Sequence, residues 1–428
     1  MRKIISGFSV LILAILSQGL HAQQSLSFVT NIKTVEVRVN GEWGEAPVML
    51  MGGSNYVEIS FDDLQHNYVR YTYRITHCNA DWTPSDIYEG DYLEGMNGAE
   101  RIEDYLQSMN TEMEYNHYML TLPNEEIRLK LSGNYRVDIL EDGDDDPVAQ
   151  ACFSILESRV GIEAETSGNT DIDTYESHQQ VSFYINYPNY SVTNPEQEFK
   201  PVVLQNHRWD TRVTDLVPTF IKTNQLQYTH NRRLIFPAGN EYRRFEILDK
   251  YVPTMRVDSM RYEKPYYHAY LVPDKIRDQY LFDKDQDGRF YVRNGNNVDN
   301  ESESDYFFVH FTLYSPQLPG GNVYLNGDLA ENSFDEMYRM DYNLMDHRYE
   351  LSLPLKQGSY NYQYLLVKDN DDEDPALWTL DSGHTSLQYT EGNFHQTENE
   401  YYIYVYHRPF GERYDKLVGF KTFTHDAH

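Results

Sequence analysis

Cysteine is almost missing from this chain. Only Cys78 and Cys152 occur among 428 residues. Paired CxxC motifs are therefore ruled out, and with them a zinc finger; HExxH is absent too, which removes the zincin pattern. No GxSxG elbow and no GxxxxGK(S/T) loop occurs, so two familiar nucleophile and phosphate-cradling motifs are missing. Carboxylates are so numerous that no pair singles itself out as the acid and base of a glycosidase. The chain reads as non-enzymatic, with no cofactor required.

Basic residues are scarce as well: 36 Lys and Arg face 67 Asp and Glu, a formal net charge of −31. Binding nucleic acid requires phosphate neutralisation, so nucleic acid is excluded as a partner. Polybasic attraction to anionic lipid is excluded on the same ground. Long apolar runs are confined to the beginning. Arg2 and Lys3 precede an apolar run at 4–16 and a small-residue site ending at Ala22. This predicts a secretory signal peptide over 1–22, too short and wrongly flanked for a membrane helix. No cysteine stands at the cleavage point, so no lipid anchor is expected. No later run reaches about 18 apolar residues, so no helix is expected to span a membrane. Export allows Cys78 and Cys152 to be oxidised. A bridge would close a loop of about 75 residues and contribute about 4 kcal/mol; two buried thiols are the alternative.

Helical periodicity is the third absence. No sustained period near 3.6 residues occurs, whereas tyrosine, which suits half-buried pleated surfaces, appears 38 times. The spacing predicts strands over 26–39, 56–61, 69–75, 118–122, 135–140 and 151–156, with a hairpin at Asn40-Gly41. A short helix is expected around 102–109. Further strands are expected at 181–187, 201–204, 266–271, 290–293, 306–314, 323–325, 349–353, 360–367 and 401–407. A pattern of strand, loop, Gly-x-Tyr strand and acidic turn occurs at 118–147 and again at 349–375, which suggests two sandwiches of one kind. The polar stretch 294–305 reads as a domain boundary. The expected fold is all-β: tandem immunoglobulin-like, E-set-like β-sandwich domains with few short helices. The domains are placed at 23–158, 159–300 and 301–408, with a tail at 409–428.

Residues 228–248 organise this reading. Arg232, Arg233, Arg243 and Arg244 flank a corner at Pro237-Ala-Gly-Asn240, where Pro presets φ and Gly or Asn tolerates positive φ. Two roles stand open for these arginines: counter-charges for nearby carboxylates, or a partner-docking surface. Asp283, Asp285, Asp287 and Gly288 match the first half of a calcium loop, oxygen donors at alternate positions with Gly for the sharp turn. Position twelve is Asn294 rather than the bidentate Glu, so a polar turn is favoured over a calcium site. Tyr360, Tyr362 and Tyr364 share one strand face, and Tyr402, Tyr404 and Tyr406 another. Packing is favoured over an exposed interaction surface. Trp43, Trp82, Trp209 and Trp378 are widely separated in sequence.

Several blocks carry a family resemblance. These are NRRLIFPAGNEYRRFE (231–246), YRITHCNADW (73–82), LSGNYRV (131–137), YLFDKDQDGRF (280–290), SDYFFVHFTL (304–313) and GNFHQTENEYYIYVYHR (392–408). Together and in this chain order they resemble a Bacteroidetes family, the plug proteins of the type IX secretion translocon. The resemblance implies a periplasmic, non-enzymatic protein at the inner face of the outer membrane. It would bind a large outer-membrane β-barrel translocon of the SprA/Sov type and close its periplasmic mouth when no substrate is in transit. The end of the chain lacks what resembles a type IX cargo signal, so the protein is expected to serve the system rather than travel through it. The last domain also resembles the carbohydrate-binding sandwich of starch-active enzymes, at 323–328 and 358–364. An exported carbohydrate-binding protein is therefore the alternative. An outer-membrane barrel is a third class, disfavoured by irregular strand spacing and a polar end.

Overall fold

The computed structural model describes residues 24–425 apart from 66, 96–97, 297 and 369–384. The expected signal peptide, the second acidic turn at 369–375 and Trp378 lie outside the described residues. Strands dominate: α-helix among the described residues is limited to single turns at Glu89–Tyr92, Pro195–Glu198 and Asn300–Glu303. None of the described helices is long and apolar enough to cross a membrane.

Three sandwiches are stacked. In the first, one sheet runs Leu26–Ser27, Pro147–Leu156, Gly133–Glu141, Tyr71–Cys78 and Glu100–Arg101; the other runs Ile32–Val39, Val57–Asp63, Asn116–Leu122 and Asp104–Gln107. Tyr71, Tyr73 and Ile75 turn inward from one strand, as their alternation predicts, and meet Phe61, Tyr118, Tyr135 and Phe153 in the core. Each such side chain contributes about 1.5–3 kcal/mol by leaving water. The helix expected around 102–109 is instead an edge strand, Asp104–Gln107, paired with residues 116–119. All four of its residues are exposed. With no apolar stripe to bury, the segment satisfies its backbone by pairing.

The central sandwich is discontinuous. One sheet holds Gly161–Ser167, His178–Asn186, Gln225–Tyr228 and Phe220–Lys222, with Ile235–Pro237 also on His178–Asn186. The facing sheet runs Arg208–Val213, Phe199–Gln205, Asn399–His407 and Lys416–His425. Its last two strands arrive from the far end of the chain. The third sandwich is inserted between. Arg243–Ile247 and Phe290–Val292 pair with Gly358–Lys368, opposite a sheet built on Tyr306–Tyr314 and Arg348–Lys356.

The domain borders expected at 300, 301 and 408 are therefore wrong. The third sandwich starts at Arg243, and residues 399–425 complete the second. The polar stretch 294–305 misled because its polar groups are used internally. Asn294 donates from Nδ2 to the Glu303 carbonyl (2.9 Å), and the Gln357 Oε1 accepts the Asp305 N–H (2.9 Å). The repeated pattern is real in three dimensions for its strands: Asn116–Leu122 and Gly133–Glu141 lie in facing sheets, as do Arg348–Lys356 and Gly358–Lys368.

Candidate functional site

The site is the junction where the three sandwiches meet, and Asn399–His407 is its centre. Tyr401, Ile403 and Val405 point into the core of the central sandwich. Tyr402, Tyr404 and Tyr406 point the other way, onto Cys78, Trp82, Cys152 and Trp209. Both faces of this strand are buried, so the second tyrosine ladder is a contact between sandwiches and not a free surface. Tyr406 donates to Asn134 Oδ1 (2.9 Å), and Trp82 meets Trp209 edge to face at 5.6 Å. Gly133, from the LSGNYRV block, has φ 132°, and a Cβ there would stand 2.9 Å from the Asp415 carbonyl of the central sandwich. Only glycine fits so close an approach. The first ladder is equally buried: Tyr362 and Tyr364 both donate to Asp274 Oδ2, at 2.8 and 2.9 Å.

Against the third sandwich the first makes a different contact. Lys356, 1 % exposed, lies 2.8 Å from Asp62, 0 % exposed, and donates to the Glu301 carbonyl (2.8 Å). Tyr306 donates to Asp62 (2.6 Å), and His117 Nδ1 lies 2.6 Å from its other oxygen. Burial alone would push the Asp62 carboxyl up; Lys356 and the His117 hydrogen bond outweigh it and hold it below the usual carboxylate range. Asp305 accepts the N–H groups of Glu112 (2.8 Å) and Met113 (3.1 Å) and pairs with Lys250 at 2.9 Å.

The basic stretch divides by sandwich. Its corner is not a surface turn: Ala238, Gly239 and Asn240 are buried where the chain leaves the central sandwich. The returning segment lies against them. Ala238 O accepts from Asn399 Nδ2 (2.8 Å), and Gly239 O from Phe394 N (2.9 Å). Arg243, 6 % exposed, is a counter-charge for Asp274 (2.8 Å) and Glu391 (2.9 Å). It is no docking residue, because leaving that pocket would strand two buried carboxylates. Arg244 pairs with Asp283 at 2.7 Å. Arg232 and Arg233 are exposed, Arg233 donating to the Asp215 carbonyl (2.9 Å).

The calcium-like loop does not spread its carboxylates round one point. Asp283 faces Arg244, Asp285 accepts the backbone N–H groups of Tyr242 and Asp287, and Asp287 lies 3.8 Å from Arg289. Gly288 has φ 89°, and a Cβ there would meet the Tyr242 ring at 2.8 Å, so packing accounts for this glycine. Among the described residues no three His, Cys, Asp or Glu side chains stand together as metal ligands. Burial, then neighbouring carboxylates, pushes Asp285 and Glu241 up to about 7. The cysteines do not bridge either. Cys78 and Cys152 lie on strands that both pair with Gly133–Glu141, so a whole strand separates them. Two strand spacings are about 9.6 Å, beyond the Cα reach of a disulfide of about 7 Å. Burial pushes the Cys78 thiol up to about 12.

Residues that the sequence did not nominate hold this junction: Asp62, His117, Asp305 and Lys356. The one available signal was an uninterrupted aromatic run, YYIYVY at 401–406, whose two apolar faces mark a strand covered on both sides.

Comparison with known proteins agrees with this architecture. Residues 32–157, the first sandwich, match the family model described as type 9 secretion system plug protein 1st domain. The crystal structure of a hypothetical protein from Parabacteroides merdae is 45 % identical, with a TM-score of 0.89, covering 94 % of this chain and all of that one. The C-terminal domain of the Streptococcus agalactiae AgI/II polypeptide BspA is 8 % identical with a TM-score of 0.14, over 91 % of this chain and 99 % of that one, and carries no argument. No curated protein matches. The chain belongs to the type IX secretion system plug protein family.

Proposed function

We propose that this protein is a periplasmic stopper. It lies against the inner mouth of the large outer-membrane β-barrel of the type IX translocon and closes it while no substrate is in transit. The observation that carries this reading is the strand Asn399–His407. Its alternate residues belong to the core of one sandwich and to the contact with another. A body built this way cannot flex at that contact without opening a core. Stopping a wide aqueous pore needs stiff bulk and contact area, and no chemistry.

A stopper must also leave, so its contact with the barrel is a polar, releasable one rather than an obligate apolar seal. The edge strand Phe220–Lys222 offers a mixed contact of modest size, a few exposed apolar side chains beside the exposed cations Lys222, Arg232 and Arg233. Val217, Phe220 and Ile221 are exposed beside it, and Arg233 is tied to the same segment through Asp215. Arg232 and Arg233 are the exposed cations of the basic stretch, presented to a partner. Affinity purification of the tagged protein from native membranes is the test. One large outer-membrane barrel should co-purify, and reversing Arg232 and Arg233 to Glu should weaken its recovery without lowering the melting temperature. Purification free of any barrel from intact membranes would contradict the proposal.

A further inference from the structure

Beside the first strand of the third sandwich, three arginines share two carboxylates. Asp274 Oδ1 accepts from Arg243 (2.8 Å) and from Arg256 (2.7 Å), and its Oδ2 is taken by Tyr362 and Tyr364. Glu391 pairs with Arg243 at 2.9 Å and lies 3.6 Å from Arg277. One cation is left unbalanced. Arg256 is the one that water reaches: its side chain is 43 % exposed, against 6 % for Arg243 and 12 % for Arg277. Its Nη2 makes the bond to Asp274, and among the described residues its Nε and Nη1 have no partner.

Arg243, Arg256, Asp274 and Arg277 line a cleft of about 440 Å³, about three times the size of an engineered cavity that admits benzene. Arg244 and Lys275 bring its cations to five, and Asp278 and Asp283 bring its carboxylates to three. Asp283 is neutralised by Arg244, and Asp278 is exposed to water. This reverses the balance of a chain in which 67 acids face 36 bases. At physiological salt a charge is felt over about 8 Å, so the acidic remainder of the surface does not cancel the local excess.

The rest of the wall is apolar. Met255, Pro273, Ile276 and Leu281 line the same cleft, Ile276 and Leu281 are exposed, and exposed Phe282 follows Leu281. Leu281 and Phe282 belong to a stretch without strands between Lys275 and Phe290, yet that stretch cannot tuck them away. Tyr280 donates to Glu241 (2.6 Å), the Leu281 N–H donates to Asn240 Oδ1 (3.3 Å), and Asp283 is held by Arg244. Contiguous exposed apolar side chains rimmed by charge mark contact surfaces. Arg256 also has φ 63°, in the left-handed region that side chains with a Cβ avoid. Strain of that kind gathers at positions that grip a ligand.

A small anion would satisfy Arg256 and leave the apolar wall wet. A hydrocarbon would do the reverse. An anionic membrane would meet the acidic remainder of the molecule over a broad face, whereas a peptide meets the cleft alone. We infer that this cleft docks an extended segment of a protein partner, with a carboxylate against Arg256 and a neighbouring large apolar side chain on Ile276 and Leu281. A guanidinium with unused N–H groups suits a carboxylate, because charge-assisted hydrogen bonds of this kind are the strong ones. The inference goes beyond the stopper reading. The cleft belongs to the third sandwich and Phe220–Lys222 to the central one, so either can fail alone.

Fluorescence anisotropy on the mature protein tests it, with a pool of labelled octapeptides in which Asp or Glu alternates with Leu, Ile or Phe. The pool should bind saturably with Kd below about 100 µM. Exchanging its acids for Asn and Gln should weaken binding roughly tenfold, and exchanging its apolar residues for Ser should do the same. Arg256→Asn, which suits a positive φ, should weaken binding roughly tenfold at an unchanged or higher melting temperature. Should that variant fold poorly, Leu281→Ser, which removes only an exposed side chain, should weaken binding roughly fivefold. Reversing Arg232 and Arg233 to Glu should leave peptide binding unchanged. No saturable change up to about 1 mM peptide overturns the inference. So does equal binding of the uncharged peptides, or binding unaffected by both cleft variants. Displacement by inorganic phosphate, with no preference for the apolar side chains, would make this a small-anion site and overturns it too.

Discussion

The first sandwich touches its two neighbours in opposite ways. Toward the central sandwich it presents rings and thiols: Trp82, Cys78 and Cys152 against Tyr402, Tyr404, Tyr406 and Trp209. Toward the third it presents charge: Asp62 and His117 against Lys356, Tyr306 and Asp305. An aromatic contact tolerates small losses, because many weak contacts share the energy. A buried ion pair does not, since removing one partner strands the other in a medium that solvates it poorly. The aromatic contact thus provides adhesion, whereas the charged one fixes a single orientation.

Removing Lys356 should give the largest effect. Lys356→Met removes the buried ammonium from Asp62, leaving it Tyr306 and His117 alone, and should cost about 3–5 kcal/mol in denaturant unfolding. Pairing it with Asp62→Leu should recover most of that loss. If the double variant is no better than the single one, the ion pair is not what the first contact rests on.

Acid should separate the two contacts. The Asp62 carboxyl is held low in the folded protein, so its stabilisation is present above its unfolded value and fades as pH falls through the lower folded one. As the solution is taken from about pH 4 to about pH 2, amide exchange should open first around Asp62 and Lys356. The Tyr404 side of the junction should stay protected. Glu241 and Asp285 act in the opposite direction. Raised to about 7, each favours folding below its unfolded value and loses that contribution as pH rises through 7. The melting temperature should therefore climb from about pH 8 to about pH 5.5 before it falls in acid. Simultaneous loss of protection at both contacts would erase the distinction between them.

On the aromatic side a single atom should matter less. Tyr406→Phe removes the hydrogen bond to Asn134 and should cost about 1 kcal/mol. A loss as large as that of Lys356→Met would mean the two contacts are not different in kind. Calcium should do least: with Asp283, Asp285 and Asp287 turned to protein partners, millimolar calcium should leave the melting temperature unchanged. A clear upward movement would show the loop rearranging around an ion.

Much of the local structure was legible. Alternation placed Tyr71–Cys78, through Tyr71, Tyr73 and Ile75, and Tyr306–Tyr314, through Phe307, Val309, Phe311 and Leu313, because inward apolar side chains leave a period of two. The basic stretch was recognisable, but the partner of each arginine was not. Arg243 and Arg244 adjoin in sequence and point to opposite faces of one strand, one into Asp274 and Glu391, the other to Asp283. What could not be read were pairings across long separations. Asp62 and Lys356 stand 294 residues apart, and Phe199–Gln205 pairs with a strand near the other end of the chain. Such contacts leave no local period. The polar linker at 294–305 was misjudged for the same reason, its partners being Gln357 and the first sandwich.

The central claim is that this welded body closes a hole. Its most direct measurement is the uptake of a small, otherwise excluded dye by cells with and without the protein, with secretion substrates depleted so that the translocon is idle. Cells lacking the protein should admit the dye, and restoring the protein should exclude it again. An envelope equally tight in both strains would contradict the account.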